Sequence, residues 1–198
     1  MKGINEKKLL RCPDKPFTKV KTIETKRLIL REFLPGDEVG MFELDSNSEV
    51  HKYLGNNPIT TIEQAREIIE NICRQYIKNG IGRWATIEKT SNQFIGWSGL
   101  KFITDVENNQ TNFYDVGYRF MPQYWGKGYA TESAKAALEY AFNTMNMKEV
   151  IGTCHEENKA SRKALEKCGL KFVEKFLWEN ITCDWLKITK EEREGLIK

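Results

Sequence analysis

The sequence predicts a single α/β (α+β) domain built on a mixed, mostly antiparallel, twisted sheet flanked by about four helices. Three observations predict it. Seven stretches carry the alternation or the β-branched and aromatic content of strands. Four others read as helices, two from apolar residues at helical spacing and two from their capping and terminating residues. Most of the strands follow one another across short turns, which favours antiparallel neighbours, and there is no internal repeat or low-complexity linker. The order reads β-α-α-β-β-β-α-β-α-β-β. At 198 residues and 40% hydrophobic content, the chain can bury one core and has little left for a second.

The elements follow in order. Residues 1–20 form a basic N-terminal extension without periodicity, holding Lys2, Lys7, Lys8, Arg11, Lys15 and Lys19 with Pro13 and Pro16. A loosely docked arm and a phosphate-binding arm are both compatible with it. The domain proper occupies residues 21–198. Residues 25–33 alternate apolar and charged positions as a first strand, and Pro35-Gly36-Asp37 turns the chain, with Asp37 a cap for a short helix through Leu44. A loop at residues 51–58 follows. Thr60 and Glu63 then have the spacing of a capping box for a helix whose stripe is Ile62, Ala65, Ile69, Ile72, Cys73 and Tyr76, closed by Asn79-Gly80.

Residues 83–88 and 94–104 read as a hairpin, and residues 114–120 as the next strand. Ala130, Ala134, Ala137, Leu138, Ala141, Phe142 and Met145 form the stripe of the third helix. Residues 149–155 form another strand. Asn158 caps a fourth helix that ends at Cys168-Gly169, and residues 171–177 and 182–189 close the sheet as an antiparallel pair.

Composition excludes several classes. A net charge of +3 and pI near 8.5 are too mild to argue for DNA or RNA as a partner. No apolar run approaches membrane-spanning length, and residues 1–20 lack the apolar core of a signal peptide, so a cytoplasmic location is expected. The five cysteines are odd in number and widely spaced, as expected of reduced thiols, and with only His51 and His155 present no metal site is expected.

The chemistry concentrates where the third helix begins. Gln123-Tyr124-Trp125-Gly126-Lys127-Gly128-Tyr129-Ala130-Thr131 joins a strand to a helix start, whose free N–H groups and dipole attract an anion. The two glycines let a phosphate approach the backbone. The dinucleotide fingerprint lacks its third glycine here, and the P-loop spacing is absent. What remains is Gln-x-x-Gly-x-Gly, followed one strand later by Asn158-x-x-Ser161 and Glu166-Lys167-Cys168-Gly169.

With these tokens, and with Thr25-Lys26-Arg27-Leu28-Ile29-Leu30-Arg31 and Gly117-Tyr118 upstream, the chain resembles the GNAT N-acetyltransferases. Within them it is similar to the branch of ribosomal-protein N-terminal (RimJ/RimL-like) and small-molecule amine acetyltransferases. The resemblance spans roughly residues 25–189. It implies acetyl-CoA as co-substrate without a metal, a primary amine as acceptor (a peptide N-terminus or a small molecule), and a monomer or homodimer.

The resemblance also implies residue roles. Backbone at Phe120 and Met121 would meet the pantetheine arm, with an N–H near Met121 serving the oxyanion. Gly126, Lys127, Gly128, Tyr129 and Ala130 would hold the pyrophosphate through backbone N–H groups, joined by the Thr131 hydroxyl and flanked by Gln123 and Trp125. Packing under the turn is the alternative role for Trp125 and Tyr129. Asn158 would touch pantetheine as well as cap its helix, Ser161 would protonate the leaving thiolate, and Lys163 and Lys167 would either reach the CoA phosphates or remain solvated. Glu132 reads as a partner of the turn. The position where some relatives carry a basic Glu is Thr153, which leaves Asp115, His155, Glu156, Glu157 and Asp184 as undifferentiated candidates for general base.

Amine basicity bears on the acceptor. An α-amine of pKa near 8 loses its proton at pH 7 for about 1.4 kcal/mol, whereas a lysine-type amine costs about 4–5 kcal/mol. A chain without an evident base therefore favours the weaker amine. Acceptor recognition is expected from residues 51–58, Arg83-Trp84, the turn at 178–184, and Trp84, Trp97, Trp178 and Trp185. A non-catalytic CoA-binding regulatory module with the same fold is the alternative function. A ribosome- or RNA-binding accessory role would rest on residues 1–20 alone.

Overall fold

A computed structural model describes residues 22–195, so the N-terminal extension lies outside the described residues. One sheet runs through the molecule in the order β1-β2-β3-β4-β5-β6-β8-β7. Its strands are β1 (Ile23–Glu24), β2 (Leu28–Arg31), β3 (Arg83–Glu88), β4 (Gln93–Ile103), β5 (Phe113–Phe120), β6 (Glu149–His155), β7 (Lys171–Trp178) and β8 (Ile181–Thr189). All neighbours are antiparallel except β5 and β6.

Helices cover both faces. On one side α1 (Asp37–Asp45), the single turn α2 (Ser48–His51) and α3 (Ile62–Asn79) bury Met41, Leu44, Val50, Ile69, Ile72 and Tyr76 with Phe33, Ala85 and Met121. On the other, α4 (Tyr129–Glu139) and α5 (Lys159–Lys167) pack Ala134, Ala137, Leu138 and Leu165 onto Leu30, Trp84, Leu100, Val116, Val150 and Leu186. Burying two sheet faces accounts for the continuous apolar runs of the central strands.

The predicted mixed sheet is present, with local corrections. Among the described residues six α-helices occur rather than about four, because α2 and α6 (Lys190–Gly195) are too short to show an apolar stripe. The first strand is interrupted at residues 25–27, where Thr25 N–H bonds the Leu28 carbonyl at 2.9 Å. The capping box is one residue later than predicted: Thr61 accepts from Gln64 N–H at 3.4 Å, and the Gln64 side chain answers to Thr61 N–H at 3.1 Å. Asp37 is not the cap of α1. Gly36 holds that position, and the Asp37 carboxylate accepts from Leu34 N–H and from both terminal nitrogens of Arg31.

Cys154, Cys168 and Cys183 are free and buried, whereas Cys73 is disulfide-bonded rather than a reduced thiol. Among the described residues no helix is long and apolar enough to cross a membrane.

Candidate active site

The site begins where two strands part. β5 and β6 pair only at Asp115 and Ile151, so residues 116–120 and 152–155 diverge into a slot. The Met121 N–H donates to the Ile95 carbonyl at 3.1 Å, in register with the β4–β5 ladder. Alternation along an antiparallel pair then directs the backbone groups of Tyr118 and Phe120 away from β4 and into the slot. The closed end is pinned by Arg83, which ion-pairs with the Asp115 carboxylate and donates to the Asp115 carbonyl at 2.8 Å. A Cβ at Gly117 would stand 2.7 Å from that guanidinium, so a larger residue here would have to displace it from Asp115.

Past the slot the chain makes a 3-10 turn over Pro122–Tyr124 and reaches the glycines. Gly126 and Gly128 have φ of +73° and +79°, left-handed backbone that glycine adopts freely. No side chain caps α4, leaving its first-turn N–H groups pointing outward. A Cβ placed on Gly126 meets nothing within 4 Å, so the concave face of the turn is open. An uncapped helix start beneath an open glycine turn fits a pyrophosphate.

The turn is held from below. Glu132 accepts from Thr25 Oγ1 at 2.6 Å, from Arg27 N–H at 2.9 Å and from Arg27 Nε at 2.6 Å, and Arg27 Nη1 donates to the Lys127 carbonyl at 2.8 Å. Partial burial alone would raise the Glu132 pKa, but the bonds from Thr25 and Arg27 bring it below the usual carboxylate value. This accounts for the Thr25–Arg31 token, because β2 clamps the start of α4. Tyr129 belongs to the clamp too. Buried, it donates to Glu88 and carries the Arg27 guanidinium 4.3 Å above its ring.

The predicted donor residues divide into two groups. Gly126, Lys127, Gly128, Ala130 and Thr131 line or adjoin the open turn, and Trp125 is half-exposed beside it with its indole N–H on the Phe120 carbonyl at 2.6 Å. Met121 is a correction. Its N–H is taken by Ile95, its carbonyl by Tyr124 N–H at 2.9 Å and its sulfur by Gln123 Nε2 at 3.5 Å, and its side chain is core. The oxyanion donor expected there is already engaged. The Tyr129 side chain packs while its backbone N–H belongs to the uncapped first turn of α4, and the Phe120 carbonyl is occupied while its N–H faces the slot.

On the β6 side, Asn158 Oδ1 accepts from Ser161 N–H at 3.1 Å and caps α5. Ser161 Oγ lies 3.2 Å from Tyr118 Oη, and Tyr118 donates its proton to the Ser161 carbonyl at 2.8 Å. Burial raises the Tyr118 pKa far above its ordinary value. No motif assigned Tyr118 a role; its partner lies 43 positions away and becomes visible only in the fold. Cys168 Sγ reaches the Thr131 carbonyl at 3.6 Å, joining the end of α5 to the first turn of α4, and the neighbouring Lys167 is exposed.

The opposite face belongs to α1 and α2. Arg119 Nη1 donates to Asp45 at 2.7 Å, lies 5.1 Å over the Trp97 ring, and has His51 Nε2 3.9 Å from the same carboxylate oxygen. Burial first, then the Arg119 charge, lowers the His51 pKa. Tyr53 packs against His155 with ring centroids 5.3 Å apart. Trp84 and Trp185 are core residues rather than cleft walls, and Trp178 lies half-exposed on the edge strand β7.

The general-base candidates also sort themselves. Asp115 is paired with Arg83 at the closed end, and Asp184 is fully buried against Arg162 at 2.9 Å on the α5 face. Glu156 is bound to Lys175 at 2.7 Å. His155 Nδ1 accepts the Glu157 N–H at 3.0 Å, which puts the proton of neutral His155 on Nε2 and makes that atom a donor. Each of these four is already engaged by a partner, and the fifth, Glu157, is exposed just beyond the end of β6.

Comparison with known proteins agrees with this geometry. The family described as "Acetyltransferase (GNAT) domain" matches residues 27–171, and the chain belongs to that family. It is similar to the uncharacterized N-acetyltransferase p20 of Bacillus licheniformis, 31% identical over 146 residues that cover 74% of this chain and 80% of p20. It is also similar to the FsC-acetyl coenzyme A-N(2)-transacetylase of Aspergillus fumigatus, 35% identical over 78% of this chain and 67% of that protein. Among solved structures, a GNAT acetyltransferase from Bacillus anthracis superposes with a TM-score of 0.73 at 27% identity, covering 86% of this chain and 99% of the other.

Proposed function

We propose that the protein transfers the acetyl group of acetyl-CoA to a primary amine by direct attack within a ternary complex. One observation carries the reading: the slot between β5 and β6 opens between an uncapped glycine turn and the Tyr118–Ser161 contact. The turn residues 126–131 hold the pyrophosphate, and the slot admits the pantetheine arm between Phe120 and Asn158. Acetyl-CoA thus enters from the α4–α5 face and the amine from the α1–α2 face.

The neutral amine attacks the thioester carbonyl, a C–N bond forms, and the carbonyl oxygen takes the negative charge. The Phe120 N–H, directed into the slot, is the donor available to that oxyanion. Collapse breaks the C–S bond, the thiolate takes a proton from Ser161 Oγ, and the proton the nitrogen loses to water returns through water to Ser161 Oγ, restoring the hydroxyl. Tyr118 spends its one proton on the Ser161 carbonyl, so in its contact with Ser161 Oγ the serine is the donor, and that hydroxyl can turn to the sulfur.

Thiol release from acetyl-CoA across a panel of amines and peptides tests the proposal. Amine-dependent release with stoichiometric N-acetylation is expected. CoA binding without release for any amine would overturn it and leave the non-catalytic CoA-binding module.

A further inference from the structure

We infer that His155 is a specificity-determining residue whose Nε2–H selects acceptors carrying a carbonyl oxygen next to the amine. The inference rests on the acetyl-transfer reading above and names the acceptor class within it.

His155 closes β6 four residues beyond its single pairing with β5, at the open end of the slot. Its face follows from alternation. Ile151 packs with Phe113 and Trp185 on the α1–α3 side, so Thr153 and His155 share that side, whereas Cys154 packs with Leu165 below α5. Two contacts fix the ring. Tyr53, from the loop after α2, packs against it, and the Glu157 N–H occupies Nδ1. The free atom is then Nε2, a donor, with no protein partner among the described residues.

The charges nearby point the same way. Two carboxylates attached to this wall of β5, Asp115 and Asp45, are each neutralised by an arginine, Arg83 and Arg119. A polyamine presents only ammonium groups and finds neither a free acid at these positions nor an acceptor at His155. An α-amino acyl group, as at a peptide N-terminus, offers the carbonyl oxygen that a fixed N–H requires. A site built to bond such an oxygen also penalises the analogue lacking it, because its donor is then left unpaired.

The test compares alanyl-alaninamide with isopropylamine, acetyl-CoA being the donor, in the wild-type protein, His155→Phe and His155→Gln. Phenylalanine keeps the ring contact with Tyr53 and removes the donor, while glutamine restores an N–H. The two amines differ in basicity, so the readout is the change in their kcat/KM ratio between variants. His155→Phe is expected to lower the peptide-to-alkylamine ratio about tenfold, the worth of one hydrogen bond, chiefly through peptide KM, and His155→Gln to recover part of it. A ratio unchanged in His155→Phe, or equal loss in both variants, overturns the inference. Thiol release with neither acceptor also overturns it. Failure across a wide amine panel as well removes the acetyl-transfer reading itself.

Discussion

Tyr118 Oη donates to the Ser161 carbonyl at 2.8 Å while lying 3.2 Å from Ser161 Oγ, so one phenol ties the splayed edge of β5 to the first turn of α5. The link orients the serine, whose own proton lies on the Tyr118 oxygen and can turn from it to the sulfur. Ser161→Ala is therefore expected to lower kcat by ten- to a hundredfold, within the range of general-acid catalysis, while the KM for acetyl-CoA stays near wild type. Steady-state thiol release checks this, and full turnover in the variant would remove Ser161 as the proton source. Tyr118→Phe should lower kcat less and cost about 1 kcal/mol of stability for the lost bond. Because burial pushes the Tyr118 pKa upward, the wild-type rate should show no loss from tyrosinate formation below pH 10.

Gly126→Trp should abolish acetyl-CoA binding and leave the fold intact. Its backbone is left-handed, so a side chain costs roughly 1–2 kcal/mol, but a Cβ there meets nothing within 4 Å. The indole has no place in the core and must occupy the open face of the turn. Calorimetry with acetyl-CoA, alongside an unchanged circular dichroism spectrum, is the check. Wild-type affinity would mean that the phosphates bind elsewhere.

Local chemistry was legible in the sequence, and long-range pairing was not. Gly80 closing α3, Asn158 capping α5 and the glycine turn starting α4 depend on residues within four positions of one another, where side-chain type and backbone conformation are directly coupled. The capping box slipped by one residue because Thr60 and Thr61 are chemically equivalent caps and the choice rests with Gln64. The slot is different in kind. Its closed end depends on Arg83 meeting Asp115 from 32 positions away, and arginine at a strand start reads as an ordinary surface residue until its partner is known. The sequence could place the oxyanion donor near Met121 but could not choose between neighbouring N–H groups, for a related reason. Which backbone N–H faces β6 is decided by the β4–β5 register, which pairs Gly96 with Phe120 and is visible only in the fold.

Glu132→Gln should destabilise the protein by about 2 kcal/mol at pH 7, because a neutral amide replaces a carboxylate that accepts from Thr25 and Arg27. The penalty depends on pH. The folded pKa of Glu132 is lowered, so its stabilisation is complete above the unfolded value of about 4.3 and is lost as pH falls through the folded value. Urea denaturation of both proteins at pH 7 and at pH 3.5 should show the gap narrowing in acid. A gap of constant size would place the effect in packing rather than in charge.

Asp115→Ala should be among the costlier single substitutions at this site. Arg83 and Asp115 are each almost nine-tenths buried, and Arg83 is also bonded to the backbone of both Asp115 and Gly99. Removing the carboxylate strands a buried guanidinium, for which about 3–5 kcal/mol is typical, whereas replacing both partners by apolar groups of similar volume is often nearly neutral. Arg83→Met combined with Asp115→Leu should thus be more stable than Asp115→Ala alone, measured by urea midpoint. The two changes should separate in function as well. The ion pair holds Asp115, the one β5 residue that pairs with β6, so the double variant, with no directed bonds left on its side chain, is expected to bind acetyl-CoA less tightly even where it folds well. A double variant with wild-type affinity would show that the single Asp115–Ile151 pairing suffices to open the slot.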